Sequence, residues 1–226
     1  MSQPPPAEAD PIAFIRRETA IASPPLVPEI RLHLATEITP IWQATEATLA
    51  REGLPPPYWA FAWPGGQAIA RYVLDNPALV RGARVLDFAA GSGLAAIAAA
   101  KAGATSVAAA EIDPFALAAI ALNAALNGVT LETLDEDLIG RPSAWDVVLA
   151  GDVCYERPMA ERVAHWFAAL AAAGTEVLMA DPGRTYLPRR GLVELARYEV
   201  PTSLDLEDRS QRETIVWRWQ KGASQS

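Results

Sequence analysis

Cysteine is nearly absent from this chain. Cys154 stands alone among 226 residues, which excludes an internal disulfide framework and any cysteine-rich zinc site. Histidine is almost as scarce, with only His33 and His165, and no grouping of His, Asp and Glu has metal-ligand spacing, so no metal is expected. Long apolar runs are missing too: the alanine-rich stretch 94–110 is broken by Lys101, Gly103 and Ser106, short of the roughly eighteen residues a membrane span needs. Positive charge is in deficit, with a net charge of −8 and no basic stripe, so no nucleic-acid partner is expected. Residues 1–11 are rich in proline and carry acids, unlike a secretory signal or a transit peptide, and a cytoplasmic location is expected by default.

What remains is a chain of 51% hydrophobic residues, enough for one large core. Residues 1–10 read as a disordered start, 11–81 as an N-terminal layer, 82–220 as a Rossmann-like core and 221–226 as a tail, giving a single domain expected to be monomeric. In the layer the patterns predict helices at 11–20, 40–52 and 66–74 and a strand at 29–34. From Arg84 onward strands (84–88, 106–111, 130–134, 146–150, 175–180, 193–200, 213–219) alternate with helices (94–102, 114–126, 157–172). That order predicts an α/β fold with a seven-stranded, mostly parallel sheet, helices on both faces and an antiparallel C-terminal edge.

The most informative stretch is Arg84-Val85-Leu86-Asp87-Phe88-Ala89-Ala90-Gly91-Ser92-Gly93, a strand ending in an acid and a small-residue turn before a helix. Glycine serves where backbone must approach a ligand or take positive φ, and the helix start beyond offers free N–H groups. About twenty residues on, a second strand ends in Glu111, placed to accept both hydroxyls of a ribose. A dinucleotide turn would need G-x-G-x-x-G for its pyrophosphate, and Asp87 would repel one. An acid there suits a cationic, phosphate-free adenosyl ligand, S-adenosylmethionine.

This turn, followed by an acid after the second strand, resembles the class I (seven-strand) methyltransferases, with Ala89 where the first glycine usually stands. The resemblance implies a pocket formed by Asp87, Ala89, Gly91, Gly93, Glu111 and Ile112. It also implies an adenine contact from Asp137 and Leu138, with Asp135 a competing candidate. The fourth strand ends in Asp152-Val153-Cys154-Tyr155, similar to the D-x-x-Y motif of METTL-type protein lysine methyltransferases. Trp59-Ala60-Phe61-Ala62-Trp63-Pro64-Gly65-Gly66 and Asp181-Pro182-Gly183-Arg184 resemble segments of the branch that acts on the β-subunit of electron transfer flavoprotein.

That resemblance implies lysine methylation on this flavoprotein subunit, with S-adenosylhomocysteine as product. Asp152 and Tyr155 are then the catalytic pair, Asp152 capturing and orienting the amine rather than acting as a strong base. Trp59, Trp63 and Tyr155 hold the lysine stem and stack on the cation, with Trp63 also on the cofactor. Arg184 suits either a carboxylate of cofactor or substrate, or a solvated loop. Cys154 reads as a small buried hydrophobe. The alternatives are a methyltransferase of a ribosomal-protein lysine, a non-catalytic S-adenosylmethionine-binding module and a hydride-transfer enzyme.

Overall fold

The computed structural model describes residues 10–35, 56–202 and 210–221. The helix expected at 40–52, residues 1–9 and residues 222–226 lie outside them. The N-terminal layer comprises α1 (Pro11–Glu18), β1 (Ala20–Ala22), β2 (Leu32–Leu34), a 3-10 turn (Tyr58–Ala60) and α2 (Pro64–Asp75). The core follows as β3 (Arg84–Phe88), α3 (Leu94–Lys101), β4 (Ser106–Ala110), α4 (Pro114–Leu126), β5 (Glu132–Leu134) and β6 (Val147–Gly151). It continues through α5 (Arg157–Ala172), β7 (Glu176–Asp181), β8 (Leu192–Pro201) and β9 (Gln211–Trp219).

Seven strands form one sheet in the order β5-β4-β3-β6-β7-β9-β8. Every pairing from β5 through β7 is parallel, and β9 is antiparallel to both β7 and β8. The final strand inserts beside β7 and leaves β8 at the edge. The chain turns back between β4 on one side of β3 and β6 on the other, so a ligand crevice belongs beyond the C-terminal ends of these strands.

The strands alternate between two cores. Val85, Val107, Ala109, Val147, Leu149 and Leu178 face one cluster, packed under α2 and α3. Leu86, Phe88, Ala108, Ala110, Val148 and Met179 face the other, under α5. Both sides of the sheet are dry, which is why these strands read as unbroken apolar runs. Residues 94–99 of α3 are all buried, so its alanines show no polar stripe. α5 instead shows one apolar face, with Val163, Trp166, Phe167 and Leu170 at helical spacing.

The N-terminal layer is fastened to α4. Phe14 meets Phe115 edge-on at 5.3 Å. Asn123, fully buried, accepts from the His33 N–H at 2.8 Å and donates to the Ser92 carbonyl at 2.9 Å, tying layer, helix and glycine turn together. β1, the short and largely exposed Ala20-Ile21-Ala22, pairs with β2 from Ala20 opposite Leu34 to Ala22 opposite Leu32. His33 is half-buried, and its Nδ1 lies 3.2 Å from the Thr19 hydroxyl.

Candidate active site

A cleft of about 690 Å³ opens beyond the C-terminal ends of β3, β4, β6 and β7, within the range of small-molecule sites. Ala89, Gly91, Glu111, Ile112, Asp137, Asp152, Tyr155, Trp63 and Arg184 line it, as do Tyr58, Asp113 and Glu136. Five carboxylates (Glu111, Asp113, Glu136, Asp137, Asp152) face two guanidiniums (Arg162, Arg184), so the wall is anionic. This chemistry fits a sulfonium donor and opposes a diphosphate.

The donor half is built by the β3–α3 and β4–α4 turns. Ala89 has φ 53, the left-handed region that favours glycine. The Gly91 N–H donates to Glu111 Oε2 at 3.0 Å, and the Ile112 N–H donates to Glu111 Oε1 at 2.8 Å. The ribose candidate therefore also holds the glycine turn. Burial raises the Glu111 pKa against these backbone donors. Ile112, 72% exposed, presents an apolar face to the cleft. Asp137 accepts from Arg162 Nη2 at 2.7 Å, which holds its carboxyl below the usual range.

Four expected residues stand behind the wall instead. Asp87 is buried beneath the turn, where its Oδ2 accepts the Ala96 N–H at 2.8 Å in the first turn of α3. Burial pushes its carboxyl up to about 8, and the Glu111 charge adds to the rise. Gly93 supports packing: a Cβ there would lie 3.2 Å from Ile120 Cγ1. The Leu138 side chain is 3% exposed in the α5-side core. Trp59, expected on the acceptor wall, is 2% exposed and packs with Ile15, Ala116 and Ala119. The 3-10 turn sends it into the core and leaves Tyr58 on the cleft.

The acceptor half joins three distant segments. Trp63 donates its indole N–H to the Tyr58 carbonyl at 2.8 Å, and the Tyr58 ring stands 5.8 Å from that of Tyr155. Asp152 also has positive φ, 56°, at the end of β6. Its Oδ2 accepts the Gly66 N–H at 3.1 Å, a free donor of the α2 first turn. Its Oδ1 accepts from Arg184 Nη2 at 3.1 Å. Burial lifts the Asp152 carboxyl to about 6, with Arg184 opposing and Asp181 adding to the rise.

Glycine is demanded here by contact. A Cβ on Gly65 would lie 2.5 Å from the Ala180 carbonyl and 2.6 Å from Asp152 Oδ2, and one on Gly151 would lie 2.6 Å from the Gly66 nitrogen. Asp181 Oδ1 accepts the N–H groups of Gly183 at 2.8 Å and Arg184 at 2.6 Å, which aims Arg184 at Asp152. Sequence reasoning singled out the motifs carrying Gly65, Gly66 and Asp181 without assigning these three a task. Cys154 is buried, its thiol pushed up to about 12 by burial, and is no nucleophile.

A ribosomal protein L11 methyltransferase model matches residues 70–156. That match begins after the Trp-Pro-Gly-Gly segment and ends before Asp181, so it covers the donor half and the β6 end alone. The chain is similar to the electron transfer flavoprotein beta subunit lysine methyltransferase of Xenopus laevis, with 41% identity over 217 residues, 93% of this chain and 87% of that protein. The Homo sapiens protein of the same description is 36% identical over 216 residues, 92% of this chain and 81% of the relative. Among solved structures, magnesium protoporphyrin IX methyltransferase from Synechocystis with bound S-adenosylmethionine shares the fold. Its TM-score is 0.51 at 17% identity, covering 69% of this chain and 78% of that one. With both cleft halves inside the matched length, this chain belongs to the family of electron transfer flavoprotein beta subunit lysine methyltransferases.

Proposed function

We propose that this protein transfers methyl groups from S-adenosylmethionine to lysine side chains of the electron transfer flavoprotein β-subunit. The observation that carries this reading is the Asp152 carboxylate, fixed by Gly66 and Arg184 at the cleft wall among Tyr58, Trp63 and Tyr155. A carboxylate beside aromatic faces is a seat for an alkylammonium.

The bound cofactor supplies an activated methyl group on a sulfonium; the chain's own residues hold the two partners in line. Glu111 would hold the ribose hydroxyls, Ile112 and Asp137 would contact the adenine, and the backbone at Ala89 and Gly91 would shape the donor pocket. Asp152 draws the ammonium in and fixes its direction. A free lysine has a pKa of about 10.4. The carboxylate favours the charged amine and so cannot by itself free the lone pair; desolvation against Trp63 and Tyr155 works in the opposite direction. Asp152 is therefore an orienting group more than a base.

Incubating the protein with S-adenosylmethionine and purified flavoprotein β-subunit, followed by intact-mass analysis, tests the reading. Mass gains in whole methyl steps are expected, with the rate lowered roughly 10- to 100-fold in Asp152→Asn, the scale of a hydrogen bond to a charged group. An unchanged mass with active cofactor binding would refute the substrate assignment.

A further inference from the structure

The acceptor seat described above already holds a cation. Arg184 Nη2 lies 3.1 Å from Asp152 Oδ1, and its guanidinium carbon stands 5.9 Å from the Trp63 ring centroid. A carboxylate and an aromatic face are the two features that the proposed reaction assigns to the substrate's ammonium. We propose that Arg184 is a placeholder for the acceptor lysine, occupying its seat until the arriving side chain displaces the guanidinium into the adjoining polar cleft. This inference rests on the lysine-acceptor reading of Asp152.

Only one of the two Asp152 contacts is exchangeable. The Gly66 N–H belongs to a helix start wedged against β6 and β7 by the Gly65 and Gly151 contacts, where no extra atom fits. The Arg184 contact is made by a long side chain that reaches Asp152 from the loop after β7 and keeps 22% of its surface open to solvent. Asp181 holds the Arg184 backbone N–H, so the side chain can swing while its base stays anchored. Space for it exists: a second cleft of about 300 Å³, lined by Tyr155, Pro182, Gly183, Thr185, Arg184 and Arg212, shares Tyr155 and Arg184 with the first.

The arrangement has a physical purpose. A carboxylate buried this deeply, beside Asp181, is costly without a positive partner. A guanidinium meets that need, keeps its charge at all working pH values and, with its lone pairs delocalised, is a far weaker nucleophile than a free amine. The resting seat is thus filled by a poorly nucleophilic cation, and a substrate ammonium enters by exchange of like for like.

The test is a titration of the full chain, saturated with S-adenosylhomocysteine, with n-butylammonium as the lysine mimic. At about pH 9 the alkylammonium keeps its proton and Asp152 is ionised. Arg184→Met is expected to bind the probe at least about fivefold more tightly than wild type, because the competitor is gone. In wild type, the Arg184 guanidinium NMR resonance is expected to move on saturation; this second readout needs no variant and stands if Arg184→Met folds poorly. Equal or weaker binding by the variant, or an unmoved resonance, would make Arg184 a fixed strut, and no binding to either protein would show that Asp152 offers no seat for an alkylammonium; each of these overturns the proposal. A flavoprotein β-subunit that stays unmethylated would leave these titrations as they are, so the two failures are distinguishable.

Discussion

The two halves of the cleft are made in different ways. The donor half comes from two consecutive strand–helix turns within about thirty residues, Asp87 to Asp113, and its contacts are largely backbone N–H groups on carboxylates. The acceptor half joins residues 58–66, 151–155 and 181–186, and depends on glycine contacts and an ion pair between chain-distant groups. A local device tolerates change in the rest of the molecule. An assembled one requires the whole sheet edge to be in register.

That contrast can be broken at the tryptophans first. Trp59→Ala is expected to destabilise the fold by about 3–5 kcal/mol in denaturant unfolding, as a large buried ring leaves a cavity. Trp63→Ala should cost far less stability and lower acceptor turnover. Equal stability losses would place both rings in the core. Next, Gly65→Ala should cost about 1–3 kcal/mol through overpacking, while Gly66→Ala, with nothing within 4 Å of the added carbon, should be neutral or stabilising by less than about 1 kcal/mol. Thermal melts of the pair separate contact from propensity.

In the donor half, Glu111→Ala should weaken S-adenosylmethionine by about 1–2 kcal/mol, measured calorimetrically. An unaltered Kd would remove Glu111 from the ribose. The smallest effect belongs to Ala89→Gly. Relief of the left-handed strain at φ 53 should exceed the entropic cost of glycine by up to about 1 kcal/mol. A lower melting temperature would show that the turn is unstrained.

The donor half was legible because its signals are local. Strand, acid, small-residue turn and alanine-rich helix follow in order, and every boundary from β3 through α4 falls within two residues of expectation. α2 begins at Pro64, two residues early, since proline is tolerated at the first helical position. α1 ends at Glu18, two residues short, where the chain turns into β1; that strand is three residues long, too short to carry a pattern, and pairs with β2. The acceptor motifs were legible as words without their grammar. Trp59 and Trp63 sit four residues apart, and only the 3-10 turn decides that one is core and the other wall. Placing β9 between β7 and β8 is likewise a long-range choice that no window of sequence contains.

The account stands on charge: an anionic cleft shaped for a cationic adenosyl donor. In the free protein Asp152 and Asp87 hold their protons up to about 6 and about 8. Both values lie above the ordinary carboxylate range. Folding stability from these two groups is therefore greatest below the ordinary carboxylate value of 3.8 and declines as pH rises from there to about 6 for Asp152 and about 8 for Asp87. A bound cation favours the ionised forms, so donor binding must release protons and tighten over the same range. Calorimetric titration between pH 6 and pH 8 should show the Kd of S-adenosylmethionine falling by up to about tenfold per pH unit, more steeply than that of S-adenosylhomocysteine, which lacks the sulfonium. A pH-independent Kd, equal slopes for the two ligands, or tight binding of a nicotinamide dinucleotide would contradict it.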